Sequence, residues 1–256
     1  MLKSSASEPT LPRRRELALV FVLLAPLVAV FLAVPRIAQD SRYHAFADTR
    51  TVLGAPNFAN VASNLPFLII GAAGLALCMR RSVAGATRAW GVFFAGTALV
   101  AVGSGYYHWS PSSGTLLWDR LPMTLAFMGL LTALISEHVG EGVERRLLVP
   151  AILVGLASVA WWRYSGDLRL YVWVQFAPLM AILFVLATFK GRYTHRGYLL
   201  YGLICYALAK IAELADSDIY SMTSGYVSGH SLKHLLAAGA PLSVYVMLGR
   251  RARMVE

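Results

Sequence analysis

The chain has 256 residues, of which 57% are hydrophobic and only 14% are charged. A soluble domain carries roughly 25% charged residues, and the apolar residues here come in blocks long enough to cross a bilayer, so the composition excludes a soluble protein. The formal net charge is +10, but the basic residues cluster between the apolar blocks, which is typical of membrane topology and argues against a nucleic-acid partner.

The N-terminal region is predicted to hold a basic segment, one transmembrane helix and an outer loop. Residues 1–15 are polar and basic, and an apolar run follows from about Leu17 to Val34. This run is long for the apolar part of a signal peptide, and it ends at Pro35 without a clear cleavage pattern, so we expect a retained first helix. Residues 35–56 form a polar loop, and residues 1–56 are predicted to be a region separate from the rest.

Seven further apolar blocks follow this loop, and the shortest of them is the block at 147–162. They lie at about 57–79, 86–107, 116–137, 147–162, 171–189, 197–214 and 229–249. With the first helix they predict an all-α, polytopic membrane bundle of eight helices. The two cysteines, Cys78 and Cys205, lie inside apolar blocks and indicate neither a disulfide framework nor a thiolate zinc site.

The distribution of Lys and Arg predicts the orientation of the bundle. If the N-terminus is cytoplasmic, 15 of the 23 Lys and Arg residues fall in cytoplasmic segments, five in outer loops and three within helices. This bias predicts that both termini are cytoplasmic. It also places the outer ends of three helices at the same membrane depth, and these ends carry His108, Asp119, His230 and His234.

Three histidines, one carboxylate and one hydroxyl are therefore expected to meet near the non-cytoplasmic face. His230 and His234 are four residues apart, so they share a helix face, as do Ser104 and His108. Polar groups at membrane depth usually face a cavity or a partner, and three histidines with one water form a common open catalytic zinc site. In the structural alternative the histidines bond only to the backbone, and Ser104 packs between helices.

Two further groups of polar residues lie near the same helix ends. One group is expected along the outer part of the second span, around the site, and comprises Asn57, Asn60, Ser63 and Asn64. The other lies near the outer end of the block at 197–214, where the sequence predicts a structural ion pair and a third acidic residue on one helix, formed by Lys210, Glu213 and Asp216. His44, in the outer loop, is able to approach the site.

The chain resembles the alkaline ceramidases, and through them the wider superfamily of seven-helix membrane hydrolases that includes the adiponectin and progestin-type receptors. The resemblance spans about residues 57–249 and rests on three motifs. These are Asn60-Val-Ala-Ser63-Asn64, Gly103-Ser104 with His108 and Asp119, and Gly229-His230 with His234.

The resemblance implies a reaction and a role for each residue of the site. His108, His230 and His234 would bind zinc, Asp119 would be the acid/base, and Ser104 would help to hold the zinc water or the oxyanion. The substrate would be the amide of a ceramide, or of another N-acyl lipid, with a zinc-activated water as the nucleophile. The enzyme would thus be a membrane-embedded hydrolase that acts on an amide C–N bond.

The resemblance also bears on calcium and on domain organisation. Animal members of the family have an acidic calcium site before the first core helix. Here the corresponding loop offers little beyond Asp40, Asp48 and Asn57, so the calcium site is in doubt. Residues 57–256 would form the seven-helix catalytic domain, with the first helix extra to the usual seven. The oligomeric state is left open.

Three other functions remain open on the sequence alone. A lipid-binding receptor or sensor would keep the same zinc site and respond to a bound ligand without hydrolysing it. The short loops argue mildly against this function, because they offer little surface to a signalling partner. An intramembrane serine protease would use Ser104, which lies in a Gly-Ser-Gly segment similar to the rhomboid motif, but Val102 stands where that motif has its first glycine. A transporter is disfavoured because no internal repeat is visible.

Overall fold

The computed structural model describes residues 11–80, 83–140 and 142–254, and this part of the chain is an all-α bundle of membrane-spanning helices. Within it, seven helices are long and apolar enough to cross a membrane, and a bent helix pair brings the number to as many as eight. The predicted fold class is confirmed, and the chain is a multi-pass membrane protein.

Most helices follow one another through short connections, whereas the long outer loop at 34–57 joins the first two helices and contains a 3-10 turn at Ser41–His44. In chain order the α-helices are α1 (Leu11–Ala33), α2 (Phe58–Ala62), α3 (Leu65–Arg80), α4 (Thr87–Trp109), α5 (Ser113–Val139), α6 (Val143–Ser165), α7 (Arg169–Thr188), α8 (Tyr198–Leu214), α9 (Asp216–Met222) and α10 (Gly229–Arg250).

Helix α6 is longer than the block predicted at 147–162, and it is not a short span. It has 23 residues and begins at Val143, because Glu144 and two arginines form its first turn. A carboxylate near a helix N-terminus is favourable for the helix dipole. The Glu144 side chain also accepts the backbone N–H of Ala89 at 2.8 Å, so a tertiary contact extends the helix beyond its apolar part.

The predicted position of Asp216 on the same helix as Lys210 and Glu213 is wrong. Helix α8 ends at Leu214, and the chain then bends by 79° into α9, which begins at Asp216. The Asp216 carboxylate accepts backbone N–H groups from α10 and from the outer loop, and these contacts hold it away from the α8 axis.

Helix α5 is the central helix of the bundle. It packs against α4, α6 and α7, while α10 packs against α8 and α3, and α3 against α4. Because α4 runs towards the end of the bundle from which α5 and α10 start, the C-terminal end of α4 and the N-terminal ends of α5 and α10 meet there. This is the end that carries the candidate site.

Helix α1 lies against α7 at the periphery. The Trp173 indole N–H donates to the carbonyl of Leu23 at 2.7 Å, and the Arg169 guanidinium donates to the carbonyls of Phe31 and Val34 at 3.3 and 3.0 Å. The last carbonyls of a helix lack partners within the helix, so Arg169 caps α1. The division of the chain into 1–56 and 57–256 remains a prediction.

Candidate metal centre

Three histidines meet where the end of α4 reaches the beginning of α10. His108 lies in the last turn of α4, and His230 and His234 lie in the first two turns of α10. Their side chains are buried, and one ring nitrogen from each lies within 4.8 Å of the others. The structure thus brings together the three histidines that the sequence predicts to meet, and they form a group that could hold a metal ion.

One distance in this histidine cluster matches the spacing of two ligands around a tetrahedral metal ion. Zinc with Zn–N bonds of about 2.0–2.1 Å holds its ligand nitrogens about 3.3 Å apart, and the Nε2 atoms of His108 and His230 are 3.3 Å apart. Two imidazole nitrogens this close are well placed to share a proton or a cation. The other nitrogen of His108, Nδ1, is buried without a hydrogen-bond partner. A set of three imidazoles suits several divalent metals, and zinc is one of them.

A break in the second membrane span orients His234. Helices α2 and α3 are separated by Ser63 and Asn64, whose side chains turn towards α10. The Ser63 hydroxyl lies 2.8 Å from His234 Nδ1, and the Asn64 amide nitrogen lies 3.5 Å from it. These contacts occupy Nδ1 and leave Nε2 for a metal, and histidine ligands usually have their second nitrogen hydrogen-bonded in this way.

Asn60 connects this break to the start of α10 and to the outer loop. It is fully buried, and its carbonyl accepts from the side chains of Ser63 and Asn64 at 3.1 and 2.8 Å. Its side-chain oxygen accepts from the Ser231 hydroxyl at 2.8 Å, and its amide donates to the carbonyl of Asp48 at 3.2 Å. The polar groups predicted around the site are therefore fixed by one another.

The outer loop covers the histidine cluster. The Phe46 ring centroid lies 4.8 Å from that of His108 and 4.5 Å from that of His230. Asp216 anchors this part of the loop, because its carboxylate accepts the backbone N–H of His230 at 2.7 Å and that of Ala47 at 3.0 Å. Sequence reasoning missed Phe46, since one aromatic residue in a polar loop has no periodicity that reveals its partner.

Ser104 and Asp119 lie together beside the cluster. Ser104 is one turn before His108 on α4, Asp119 is in the second turn of α5, and both are buried. The Ser104 side chain lies near the Asp119 carboxylate. Both residues border a cavity of about 190 Å³ that His234 also borders. The structure therefore brings the two remaining predicted site residues to the same place.

Gly103 permits the close approach of α4 and α5 at this point. A Cβ atom on Gly103 would overlap with the carbonyl oxygen of Trp118, whereas a Cβ atom on the nearby Gly105 would have no neighbour within 4 Å. Only a glycine therefore fits at position 103 without moving α5. The contact between Ser104 and Asp119 depends on this spacing.

Charged residues of α8 and α10 border the same cavity. The predicted pair of Lys210 and Glu213 is present as an ion pair. Lys233 joins it, with its Nζ atom 3.2 Å from Glu213 Oε1 and 3.0 Å from His230 Nε2. Sequence reasoning missed Lys233, although its position next to His234 was visible, because it was counted only as a helical residue in the topology.

His44 lies beside the cluster and is not a member of it. Its Nδ1 atom is 2.9 Å from the Tyr107 hydroxyl, and its Nε2 atom is 3.2 Å from the Ser113 hydroxyl. Burial and, to a smaller extent, the positive charge of Arg120 lower the pKa of His44 below its usual value. The ring is therefore held in its neutral form in the outer loop.

The three loop residues considered for calcium have other partners. Asp40 forms an ion pair with Arg42, and the Asn57 amide donates to the carbonyl of His108 at 2.9 Å. Asp48 forms an ion pair with Arg50 at 2.7 Å, and hydrogen bonds from Arg50 lower the pKa of its carboxyl. These contacts organise the loop around the end of α4.

Comparison with known proteins adds one family match. The model of the family described as Ceramidase matches residues 54–215, which is well over half of the chain. The matched range contains Ser104, His108 and Asp119, and it ends before His230 and His234. No curated protein matches the chain significantly.

Proposed function

Because this chain belongs to the ceramidase family, we propose that it is a zinc-dependent, membrane-embedded hydrolase that cleaves the amide bond of ceramide into a fatty acid and a sphingoid base. The observation that carries this proposal is the buried cluster of His108, His230 and His234, with their ring nitrogens within 4.8 Å, next to the cavity that Ser104 and Asp119 border.

The three histidines would hold the zinc ion, and the donor set and the 3.3 Å separation of two Nε2 atoms support this assignment. When bound, zinc lowers the pKa of a coordinated water to about 7 and polarises a carbonyl group. Ser63 keeps His234 in the tautomer that offers Nε2, and Phe46 excludes water from one side of the rings. The remaining chemistry falls to Asp119 and Ser104.

Asp119 would move the protons of the reaction. Its carboxylate takes a proton from the attacking water and returns it to the nitrogen of the leaving amine. The C–O bond forms first, the C–N bond breaks when the protonated amine leaves, and the products are the fatty acid and the free amine. The Ser104 hydroxyl donates a hydrogen bond to the oxygen of the amide carbonyl as negative charge develops on it.

Two adjoining cavities would hold the lipid. The polar cavity shares Phe67, Met123 and Tyr206 with an apolar cavity of about 140 Å³ deeper in the bundle. A hydrocarbon chain is stabilised by burial in the apolar cavity, while the amide lies at Asp119. Under the proposed orientation, the head group faces the non-cytoplasmic side and both termini are cytoplasmic, with residues 57–256 as the catalytic domain.

A lipid-binding receptor or sensor remains the second candidate, since the same cluster would serve it. The intramembrane serine protease is less well supported. A serine nucleophile needs a base within hydrogen-bond reach, but Nε2 of His108 is directed at His230 and its Nδ1 is buried without a hydrogen-bond partner. A transporter function gains no support from these contacts.

Fatty-acid release from ceramide by purified protein tests the proposal. We expect release by the parent and a loss of at least about a hundredfold in His230→Ala, because removal of one of three ligands disrupts the zinc site. The matched control is His195→Asn, which changes an exposed histidine at a positive φ that asparagine tolerates. Equal release by the parent and His230→Ala would contradict the assignment of the site.

Zinc content, measured on the same preparations, separates the two candidate functions. A well-folded parent that holds zinc and releases no fatty acid from any amide lipid would favour the receptor or sensor. A parent that hydrolyses ceramide with a chelator-sensitive rate would exclude the serine protease.

A further inference from the structure

Arg120 is a buried cation that forms no ion pair within the described parts of the chain. It follows Asp119 on α5, is 5% exposed, and pairs with none of the carboxylates in the described parts of the chain. Its Nη2 atom donates to the side-chain oxygen of Gln39 at 2.5 Å, whereas its Nη1 atom is buried and has no hydrogen-bond partner. A buried charge is costly unless it is paired and hydrogen-bonded, so this guanidinium points to an anionic ligand.

Aromatic rings hold the Arg120 side chain in place. The guanidinium carbon lies 4.1 Å from the ring centroid of Trp162 and 4.7 Å from that of Tyr171. Cation–π contacts of this kind offset part of the cost of burial. They do not neutralise the charge, so the rings orient the guanidinium and leave its charge available.

The cavity beside the histidine cluster contains more basic than acidic side chains. Arg120, Lys210 and Lys233 border it, against Asp119 and Glu213. Both lysines pair with the single carboxylate of Glu213. The cavity therefore holds an excess of positive charge before any metal is bound, and a cavity of this kind favours an anion.

Lys233 adds hydrogen-bond donors on the side of the cavity that faces the cluster. Its ammonium group has three donors, and in the structure two of them are directed at Glu213 and at Nε2 of His230. A ring nitrogen that binds a metal no longer accepts a hydrogen bond. If His230 binds zinc through Nε2, Lys233 therefore retains Glu213 and has a donor free for the lipid.

We infer that this chain prefers an amide lipid with an anionic head group, whose carboxylate or phosphate is held between Arg120 and Lys233, over a neutral ceramide. This inference rests on the proposed amide hydrolase function and specifies its substrate class. The reaction stays the same, because water still adds to the amide carbonyl and the C–N bond breaks. The guanidinium and the ammonium are the two side chains that recognise carboxylates and phosphates by charge-assisted hydrogen bonds.

A matched set of lipids tests this preference with the full-length, zinc-loaded protein in detergent. N-palmitoylserine and N-palmitoylserinol differ only in a carboxylate that replaces a hydroxymethyl group, and N-palmitoylserinol phosphate supplies a phosphate on the same frame. Analogues in which CH₂ replaces the amide nitrogen cannot be hydrolysed, so their affinities are measured by the rise in melting temperature with ligand concentration. Palmitate release is measured for the three amides.

The expected result is that each anionic analogue binds about ten to a hundred times more tightly than the hydroxymethyl analogue. Arg120→Gln and Lys233→Gln should each reduce this ratio at least about fivefold. The matched control is Arg169→Gln, because Arg169 also lies against an aromatic ring but pairs with Asp167 and does not border the cavity. This control should leave the ratio unchanged. If Arg120→Gln does not fold, the affinity ratio of the parent and its change in Lys233→Gln still test the anion preference.

The outcomes separate the preference from the reaction. Hydrolysis of the amides with equal affinities for the charged and neutral analogues would overturn the anion preference and leave the hydrolase function standing. Tight, Arg120-dependent binding of the anionic analogues without palmitate release would support the anion site and contradict the hydrolase function. An equal loss of the ratio in Arg169→Gln would overturn the inference, since the effect would then come from overall charge. The relative affinities of the carboxylate and the phosphate identify the anion.

Discussion

Asp119 carries the proton transfers of the proposed reaction without belonging to the histidine cluster. Replacing it with asparagine keeps the shape of the side chain and removes the base. We therefore expect Asp119→Asn to lower kcat by about 10²–10⁴-fold, with an unchanged zinc content. Steady-state rates and metal analysis on one preparation check this. Activity within tenfold of the parent would remove Asp119 from the chemistry, and a loss of zinc would make it part of the metal site.

His44 makes the stability of the folded protein depend on pH. Its pKa in the folded protein lies below the usual value of 6.5 because of burial and the charge of Arg120, so the unfolded chain binds more protons near and below pH 6.5. Stability therefore falls as the pH decreases through this window. We expect the drop in melting temperature between about pH 7.5 and pH 5.5 to be smaller in His44→Gln than in the parent. An identical drop would show that other groups dominate.

At the residue scale, the sequence predicted the three histidines of the cluster better than the charged residues around them. His108, His230 and His234 were recognisable from their spacing and predicted depth. Arg120 and Lys233 border the same cavity but were classified only as charges within helices. The topology count considers the number of charges at each end of a helix, and the face on which a given charge lies does not enter it.

The contact between α4 and α5 determines the position of Ser104 relative to Asp119. A Cβ atom on Gly103 would overlap with the backbone of α5, and overpacking of this kind costs about 1–3 kcal/mol. We expect Gly103→Ala to lower the melting temperature and the activity together. Gly105→Ala, two residues away and facing open space, should keep full activity and gain up to about 1 kcal/mol from helix propensity. Similar behaviour of the two variants would contradict the close approach.

The spans were predictable because hydropathy is a property of consecutive residues. The two breaks in the helices were not predictable from it. The interruption at Ser63 and Asn64 and the bend before Asp216 are both held by contacts with α10, which lies far away in sequence. Glu144 extends α6 for the same reason, through a hydrogen bond to the start of α4. Local patterns thus locate the helices, and tertiary contacts decide where they stop.

The orientation of the whole bundle follows from the distribution of Lys and Arg and stays a prediction. Ser41 and Lys190 lie on exposed positions in the loops after α1 and after α7, which the prediction places on opposite sides of the membrane. In intact cells, an impermeant maleimide should label Ser41→Cys and spare Lys190→Cys until the membrane is permeabilised. The reverse pattern would place the histidine cluster at the cytoplasmic face.

At the scale of the whole molecule, counting charges predicted that the histidines and Asp119 lie at one membrane depth, but it contained no information about lateral distance. Helix α10 packs against α8, which is near it in the chain, and also against α3, which is far from it in sequence. This non-sequential contact brings His234 to Ser63. It depends on side-chain fit between distant helices, which hydropathy and topology do not specify.

Asp216 accepts hydrogen bonds from both Ala47 in the outer loop and His230 in the cluster. The same carboxylate thus holds the loop in place and positions this histidine, so the two arrangements are energetically coupled. Coupling of this kind is reciprocal. By whatever factor a lipid seated beneath the loop tightens the hold on the metal, the metal tightens the hold on the lipid by the same factor. Each would therefore bind more tightly while the other is present.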